Sequence, residues 1–270
     1  MRHDGTTIQP HHAAAAAMWG KGGRYYDDVS FAISDALTHA AQRLNARSGQ
    51  AILDVATGTG WSARNAARSG ATVMAVDISA DLLAAARELS AHLRPTIDFR
   101  LADAEAVPFP GASFDGVIST FGAMFALDQT RAARELARVC RPGGRLVLTA
   151  WVPNGSVAEF FSLLGRYGDA PPPPVSPLAW GDPEQVERLL GRDFQLVFEM
   201  GRNHAHHDDA EEIWEWYSRG FGPLRQLLDN LDPHGCAALK AEVDAYHAHY
   251  ATEAGLRVTR DYLTTIGRRR

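Results

Sequence analysis

The 270-residue chain has little cysteine, no long apolar run and no excess of positive charge, and each shortage removes a class of function. Two cysteines, Cys140 and Cys236, with no C-x-x-C pair, can build neither a disulfide framework nor a cysteine-based metal cluster. Both read as reduced, structural thiols, Cys140 falling where a helix is expected to give way to a strand. No stretch of about 18 apolar residues exists, and the alanine run at 13–17 lacks the basic and strongly apolar regions of a signal peptide. These absences predict a cytoplasmic protein with no membrane partner. Lys and Arg number 27 against 32 Asp and Glu, a net charge of −5 that gives no general pull on phosphate backbones and argues against nucleic acid as a partner. The three arginines at 268–270 are a local exception, read as a solvated terminus. No metal is expected. The one histidine cluster, His204-Ala205-His206-His207-Asp208-Asp209, reads as a polar loop before a helix, with His206 and His207 the first candidates to test as bases.

What the chain does have is a glycine-rich turn in the right place. Leu53-Asp54-Val55-Ala56-Thr57-Gly58-Thr59-Gly60 is an apolar strand, a carboxylate near its end, and a turn whose glycines let backbone N–H groups approach a polar ligand. Gly58-Thr59-Gly60-Trp61-Ser62-Ala63 also fits the dinucleotide fingerprint, with Asp77 at the spacing of a ribose-binding acid, so an NAD(P)-dependent oxidoreductase stays open on this motif alone. Asp54 points elsewhere: a pyrophosphate gains nothing from a carboxylate four residues before the first glycine, whereas an ammonium group does. Strands are expected at 51–56, 71–76, 96–101, 114–119 and 144–150, alternating with helices at 61–68, 80–92 and 128–140. That alternation predicts an α/β fold with a doubly wound, mostly parallel sheet covered on both faces. Gly70 is placed to end the first of these helices.

Beyond the first turn come Ala102-Asp103-Ala104, then Phe114-Asp115-Gly116-Val117-Ile118-Ser119, then Arg141-Pro142-Gly143-Gly144-Arg145-Leu146-Val147-Leu148. In this order the motifs resemble the class I S-adenosylmethionine-dependent methyltransferases, especially the small-molecule branch of ubiquinone/menaquinone biosynthesis, over roughly residues 50–152. The resemblance implies a seven-stranded Rossmann-like sheet whose last strand runs antiparallel beside the fifth, and S-adenosylmethionine (SAM) as cofactor. It implies that Asp54 engages the methionine ammonium while Ala56, Thr57, Gly58, Thr59 and Gly60 pass close to the cofactor. Asp77 would accept from the ribose hydroxyls with Ile78 against the adenine, Asp103 from the adenine amino group with Ala104 packed nearby, and Ser119, Thr120 and Phe121 would line the methyl side. The family often has Gly where this chain has Ala56, a small residue expected to fit with a negative φ. The [ND]-P-P-[YF] signature of target-base amino-methyltransferases is missing, Ser119-Thr120-Phe121-Gly122 standing in its place.

The expected organisation is one domain over 1–270: a tail and cap helix (1–48), a cofactor-binding core (50–152), cap insertions (153–181 and 202–256), and two last strands (193–201 and 258–267). The tail is expected to be mobile until Trp19, followed by a helix over 26–44. Pro171 to Pro174 form a stiff linker, and Asp182-Pro183 and Asp232-Pro233 are cap-plus-proline helix starts, the second inside a helical stretch over 208–254. Trp19, Tyr25, Tyr26, Met124, Phe125 and Trp214 are candidates to grip a small-molecule acceptor in an aromatic helical lid; no catalytic residue is assigned. The protein is expected to be a monomer or homodimer. Alternatives are the oxidoreductase and a non-catalytic SAM-binding protein. A thermal-shift comparison separates the cofactors: S-adenosylhomocysteine at 100 times its dissociation constant adds ~2.7 kcal/mol of stability, and NAD or NADP is expected to add none.

Overall fold

The computed structural model describes residues 8–169 and 171–270. In chain order the elements are α1 (Ala13–Gly20), α2 (Tyr26–Phe31), α3 (Ser34–Leu44), β1 (Ala51–Val55), α4 (Trp61–Arg68), β2 (Thr72–Asp77), α5 (Ala80–Ser90), β3 (Asp98–Leu101), β4 (Phe114–Thr120), α6 (Gln129–Val139) and β5 (Cys140–Trp151). Then follow α7 (Ser156–Gly165), α8 (Pro183–Leu190), β6 (Phe194–His207), α9 (Ala210–Gly220), α10 (Gly222–Asn230), α11 (Pro233–Ala248), β7 (Ala251–Thr252) and β8 (Gly255–Arg269), with short 3-10 turns between.

The sheet runs in the order β3-β2-β1-β4-β5-β8-β6, with the two-residue β7 paired to β8 off this path. β1 to β5 pair in parallel, and β8 runs antiparallel between β5 and β6. The expected seven-stranded, mostly parallel sheet with an antiparallel last strand is therefore what the chain forms. Its apolar strands are buried on both faces. Leu53, Val55, Phe114 and Leu146 pack on one side, and Ile52, Val73, Ile118 and Val147 on the other. A third cluster, Phe160, Leu164, Phe221, Leu224, Leu239 and Val243, lies among α7, α9, α10 and α11.

Local signals behave as their chemistry requires. Asp182 and Asp232 cap α8 and α11, accepting from the Glu184 and Gly235 amides, with Pro183 and Pro233 in the first turn. Gly70, at φ +81°, follows the C-cap of α4. Cys140 begins β5 directly after α6 and is buried, and both cysteines are free.

Five expectations need correction. The tail is not loose up to Trp19: from Pro10 onward it is helical, and His12 is buried; residues 1–7 of that expectation lie outside the described residues. The helix over 26–44 is two helices, because the chain turns at Ile33 so that α2 faces the cap while Ala36, Leu37, Ala40 and Leu44 of α3 lie on the sheet. The helical stretch over 208–254 is broken at Phe221 and Leu231 by the prolines that follow, and the histidine cluster is the end of β6, not a loop. There β6 and β8 pair as far as His207 and Leu256, with His206 exposed and His207 buried, so the polar residues of the segment belong to a strand.

The fifth concerns Ala56, whose φ is +55°, not negative. Thr57 N–H must turn back to donate to Val76 O at 3.0 Å, which forces a left-handed residue between β1 and the glycine turn. Phe121, at the end of β4, is left-handed too, and a Cβ on the adjoining Gly122 would sit 2.5 Å from the Ala56 Cβ. An L-residue in this conformation costs ~1–2 kcal/mol, more than the ~0.4–1 kcal/mol that alanine gains over glycine by stiffening the unfolded chain. Ala56→Gly is expected to raise Tm by roughly 2–4 °C in differential scanning calorimetry; an unchanged or lower Tm would show that the turn is unstrained.

Candidate functional site

Strand order reverses between β1 and β4, and a cavity opens at the carboxyl ends of the strands there, where open α/β sheets bind ligands. Its empty space is about 930 Å³, part of it open to solvent. The floor is the turn from Ala56 to Thr59. One wall carries Asp77, Ile78, Asp103 and Ala104, the opposite one Thr120 and Phe121, and the roof Trp19, Tyr26 and Phe125. Thus ten of the thirteen residues expected at the cofactor, and three of the six expected at the acceptor, face one space.

The carboxylates are held in different ways. Asp77 Oδ2 accepts from Gly58 N–H at 2.8 Å and Oδ1 from Ser79 N–H at 2.9 Å, so one acid ties the glycine turn to the end of β2. Burial pushes its pKa up against those two hydrogen bonds. Asp54 is buried beneath the turn. Its Oδ2 accepts from Thr57 Oγ1 at 2.6 Å and Ala63 N–H at 2.9 Å, while Oδ1 has no partner. Desolvation outweighs both bonds and raises this carboxyl to about 7. The turn is also pinned from outside: Thr59 Oγ1 and Arg64 Nη2 both donate to Asp27 Oδ1, at 2.7 and 2.8 Å.

Asp103 has a partner that the sequence did not reveal. His12 Nδ1 donates to its Oδ2 at 2.7 Å, and the Gln9 and Glu105 amides donate to the same carboxylate. Burial opposes ionisation, but these bonds hold the Asp103 carboxyl below its ordinary value, and the Asp103 hydrogen bond raises His12. His12 Nε2 lies 3.3 Å from Glu105, as does His11 at 3.0 Å, so the N-terminal segment is clasped over the cavity rim. Nothing local in Pro10-His11-His12 announces this contact across about ninety residues.

A second cavity, about 700 Å³ of empty space, shares Trp19, Tyr26, Ile33, Phe121 and Phe125 with the first. Its other walls are mostly aromatic, among them Trp151, Phe160, Tyr217 and Phe221, and the ring of Phe121 stacks on Trp151 with centroids 3.9 Å apart. Two polar side chains reach it, His247 from α11 and Arg260 from β8. Neither was a sequence candidate, because each sits alone in an ordinary amphipathic pattern.

Six expected residues do not line either cavity. Asp54 lies under the turn, and Gly60 is needed for its φ of +88° against the Phe99 ring. Ser119 turns inward to accept from Ala123 N–H, and Met124 is 2 % exposed in the core. Tyr25 is 46 % exposed under Arg219, and Trp214 packs in the third cluster beneath Lys240. Helical phase separates these from their neighbours: Tyr25 points out where Tyr26 points in.

The sheet order and the turn into α4 define a Rossmann-like fold with its ligand site at the strand reversal, and a solved structure shares that architecture. The YcgJ protein of Bacillus subtilis superposes with a TM-score of 0.60 at 18% identity, covering 87% of this chain and 98% of its own. The family model described as a methyltransferase domain matches residues 53–148. Among relatives, the uncharacterized protein Rv1405c of Mycobacterium tuberculosis is 32% identical over 73% of this chain and 72% of its own length. The demethylmenaquinone methyltransferase of Tropheryma whipplei is 34% identical over 66% of this chain and 75% of its own. The chain belongs to the class I SAM-dependent methyltransferases; it is a SAM-dependent enzyme. No helix among the described residues is long and apolar enough to cross a membrane.

The raised Asp54 pKa has a sign that can be measured. Its contribution to stability is fully present below the ordinary carboxyl value near 4 and is lost as pH rises through about 7. Asp54→Asn is therefore expected to raise the Tm of the ligand-free protein more at pH 8 than at pH 5; an equal change at both would show that Asp54 ionises freely.

Proposed function

We propose that the chain transfers the methyl group of SAM to a small molecule held in the second cavity, with the cofactor in the first. The observation that carries this reading is the shared wall: Tyr26, Phe121 and Phe125 border both spaces, so a donor in one meets an acceptor in the other. SAM supplies an electrophilic methyl on a sulfonium centre. The cofactor's chemistry fits the residues present. The unpartnered, buried Asp54 Oδ1 suits an ammonium group, directly or through water, and an ammonium lowers the cost of ionising it. At Gly58, whose φ is +56°, a Cβ would lie 3.2 Å from the Tyr26 ring, so a side chain there would be strained and crowd the turn beneath that ring. Asp77 is placed to accept from ribose hydroxyls beside Ile78, and Asp103 from an adenine amino group beside Ala104.

The rest of the work is positioning. Methyl transfer asks the protein to align two reactants and exclude water, and orientation can supply ~7–11 kcal/mol of the barrier. Helices α1, α2, α7, α9, α10 and α11 would form the lid, presenting Trp19, Tyr26, Phe160 and Phe221 to the acceptor. These faces attract a sulfonium by cation–π interaction and shield it from water.

Asp77→Ala is expected to weaken S-adenosylhomocysteine binding by ~1.5–3 kcal/mol, roughly 10- to 150-fold, in isothermal titration calorimetry. Unchanged affinity in the folded variant removes Asp77 from the cofactor site. With methyl-labelled SAM, label is expected in low-molecular-weight products of a cell extract, and its recovery only in protein or nucleic acid would overturn the small-molecule acceptor.

A further inference from the structure

The second cavity is apolar except at one end, where Arg260 is 6 % exposed. Its Nη1 donates to Asn203 Oδ1 at 3.1 Å and its Nη2 to Tyr217 Oη at 2.8 Å. Neither oxygen carries a charge. Among the described residues no carboxylate pairs with this guanidinium, in contrast to Arg64, equally buried, which has Asp27 at 2.8 Å. The acids nearby are engaged elsewhere: Asp35 with the Asn203 amide at 2.6 Å, Glu212 with the Asp208 amide at 2.8 Å, and Asp244 with Lys240 at 2.9 Å. Two of five N–H donors are used, and an arginine cannot shed its proton to escape burial. Burying a cation without a counter-ion is costly, so the site is electrostatically incomplete.

Beside it stands His247, 1 % exposed, whose Nδ1 donates to Val243 O at 2.8 Å. That bond selects the tautomer with a lone pair on Nε2, for which no protein donor is found among the described residues. Burial, with Arg260 adding to it, keeps the ring neutral, its pKa pulled down to about 4. The Tyr217 hydroxyl, already accepting from Arg260, keeps its own hydrogen to donate.

We infer that the acceptor is a planar, aromatic-sized molecule carrying an ionisable oxygen, whose negative charge is held by Arg260 and Tyr217 and whose flat body lies among Phe121, Trp151, Phe160 and Phe221. The inference rests on the second cavity being the acceptor site. An acceptor that arrives as a neutral phenol or enol donates its O–H to the lone pair of His247 Nε2, and the guanidinium favours negative charge on that oxygen. One that arrives as a carboxylate needs no such step. Asn203 is a positioning residue, since its amide, fixed by Asp35, turns Oδ1 toward Arg260.

The test is binding, with turnover left aside. With S-adenosylhomocysteine bound, calorimetry on the wild-type protein compares 2-naphthoate, 2-naphthol and the neutral isostere naphthalene-2-carboxamide. Naphthoate or naphthol is expected to bind at least tenfold more tightly than the amide. Arg260→Gln is expected to abolish that preference without changing S-adenosylhomocysteine affinity, and Arg260→Lys to retain part of it. His247→Gln is expected to weaken naphthol more than naphthoate. Binding of both naphthoate and naphthol no tighter than that of the amide by wild type overturns the inference, and because that comparison needs no variant it stands even if Arg260→Gln fails to fold. Failure of wild type to bind S-adenosylhomocysteine overturns the cofactor-site reading instead, so the two failures are distinct.

Discussion

Carboxylates taken out of water at the ends of parallel strands are the constraint around which this structure is built. Between β1 and β4 the chain leaves the sheet in opposite directions, and the gap cannot be filled by either following helix. Into it fold Asp54, Asp77 and Asp103, each 6 % exposed or less. Such burial is tolerable only where N–H groups converge, and the glycine turn, the start of α5 and the Asp103 loop supply them. Of the three, Asp54 alone keeps an oxygen without a partner, and burial raises its carboxyl to about 7. The site is therefore polarised before any ligand enters, ready for a molecule that carries a positive charge and many donors.

Electrostatics of the opposite sign governs the other chamber. Arg260 is a cation among aromatic rings, with neutral oxygens for company, and His247 is held neutral nearby. The acid-lined first cavity and the cation-ended, apolar second one meet at Tyr26, Phe121 and Phe125. The two sides of one partition thus differ in charge, and no acid–base group is placed on the partition itself. That arrangement agrees with a reaction whose main demand is alignment.

Strain and tethering hold the partition in place. Ala56 and Phe121 both take left-handed backbone on either side of the strand reversal, and Gly122 fits against Ala56 only because it lacks a Cβ. Residues held in such regions persist where their surroundings over-determine them; here Thr57 is tied to Val76, and Phe121 to Thr149. The roof is fastened from the N-terminal side by His12 on Asp103 and by Asp27 on Thr59 and Arg64. The cap thus grips the same loops that face the ligand, which couples closure of the roof to order in the floor.

Much of this was legible in the chain itself, because it depends on short-range chemistry. The period of apolar residues marked the strands and core helices. The spacing of Gly58, Asp77 and Asp103 marked residues that line the first cavity, and Asp-Pro pairs marked where α8 and α11 begin. What only the tertiary structure decided were contacts between segments far apart in sequence and the direction of single side chains. The pairing of His12 with Asp103, the left-handed Ala56, and the inward turn of Tyr26 beside the outward Tyr25 are of this kind. So is the lack, among the described residues, of a carboxylate paired with Arg260. The physical reason is that periodicity assigns a residue to a face, whereas a buried charge, a strained φ or a cavity wall is defined by atoms that other parts of the chain bring to it.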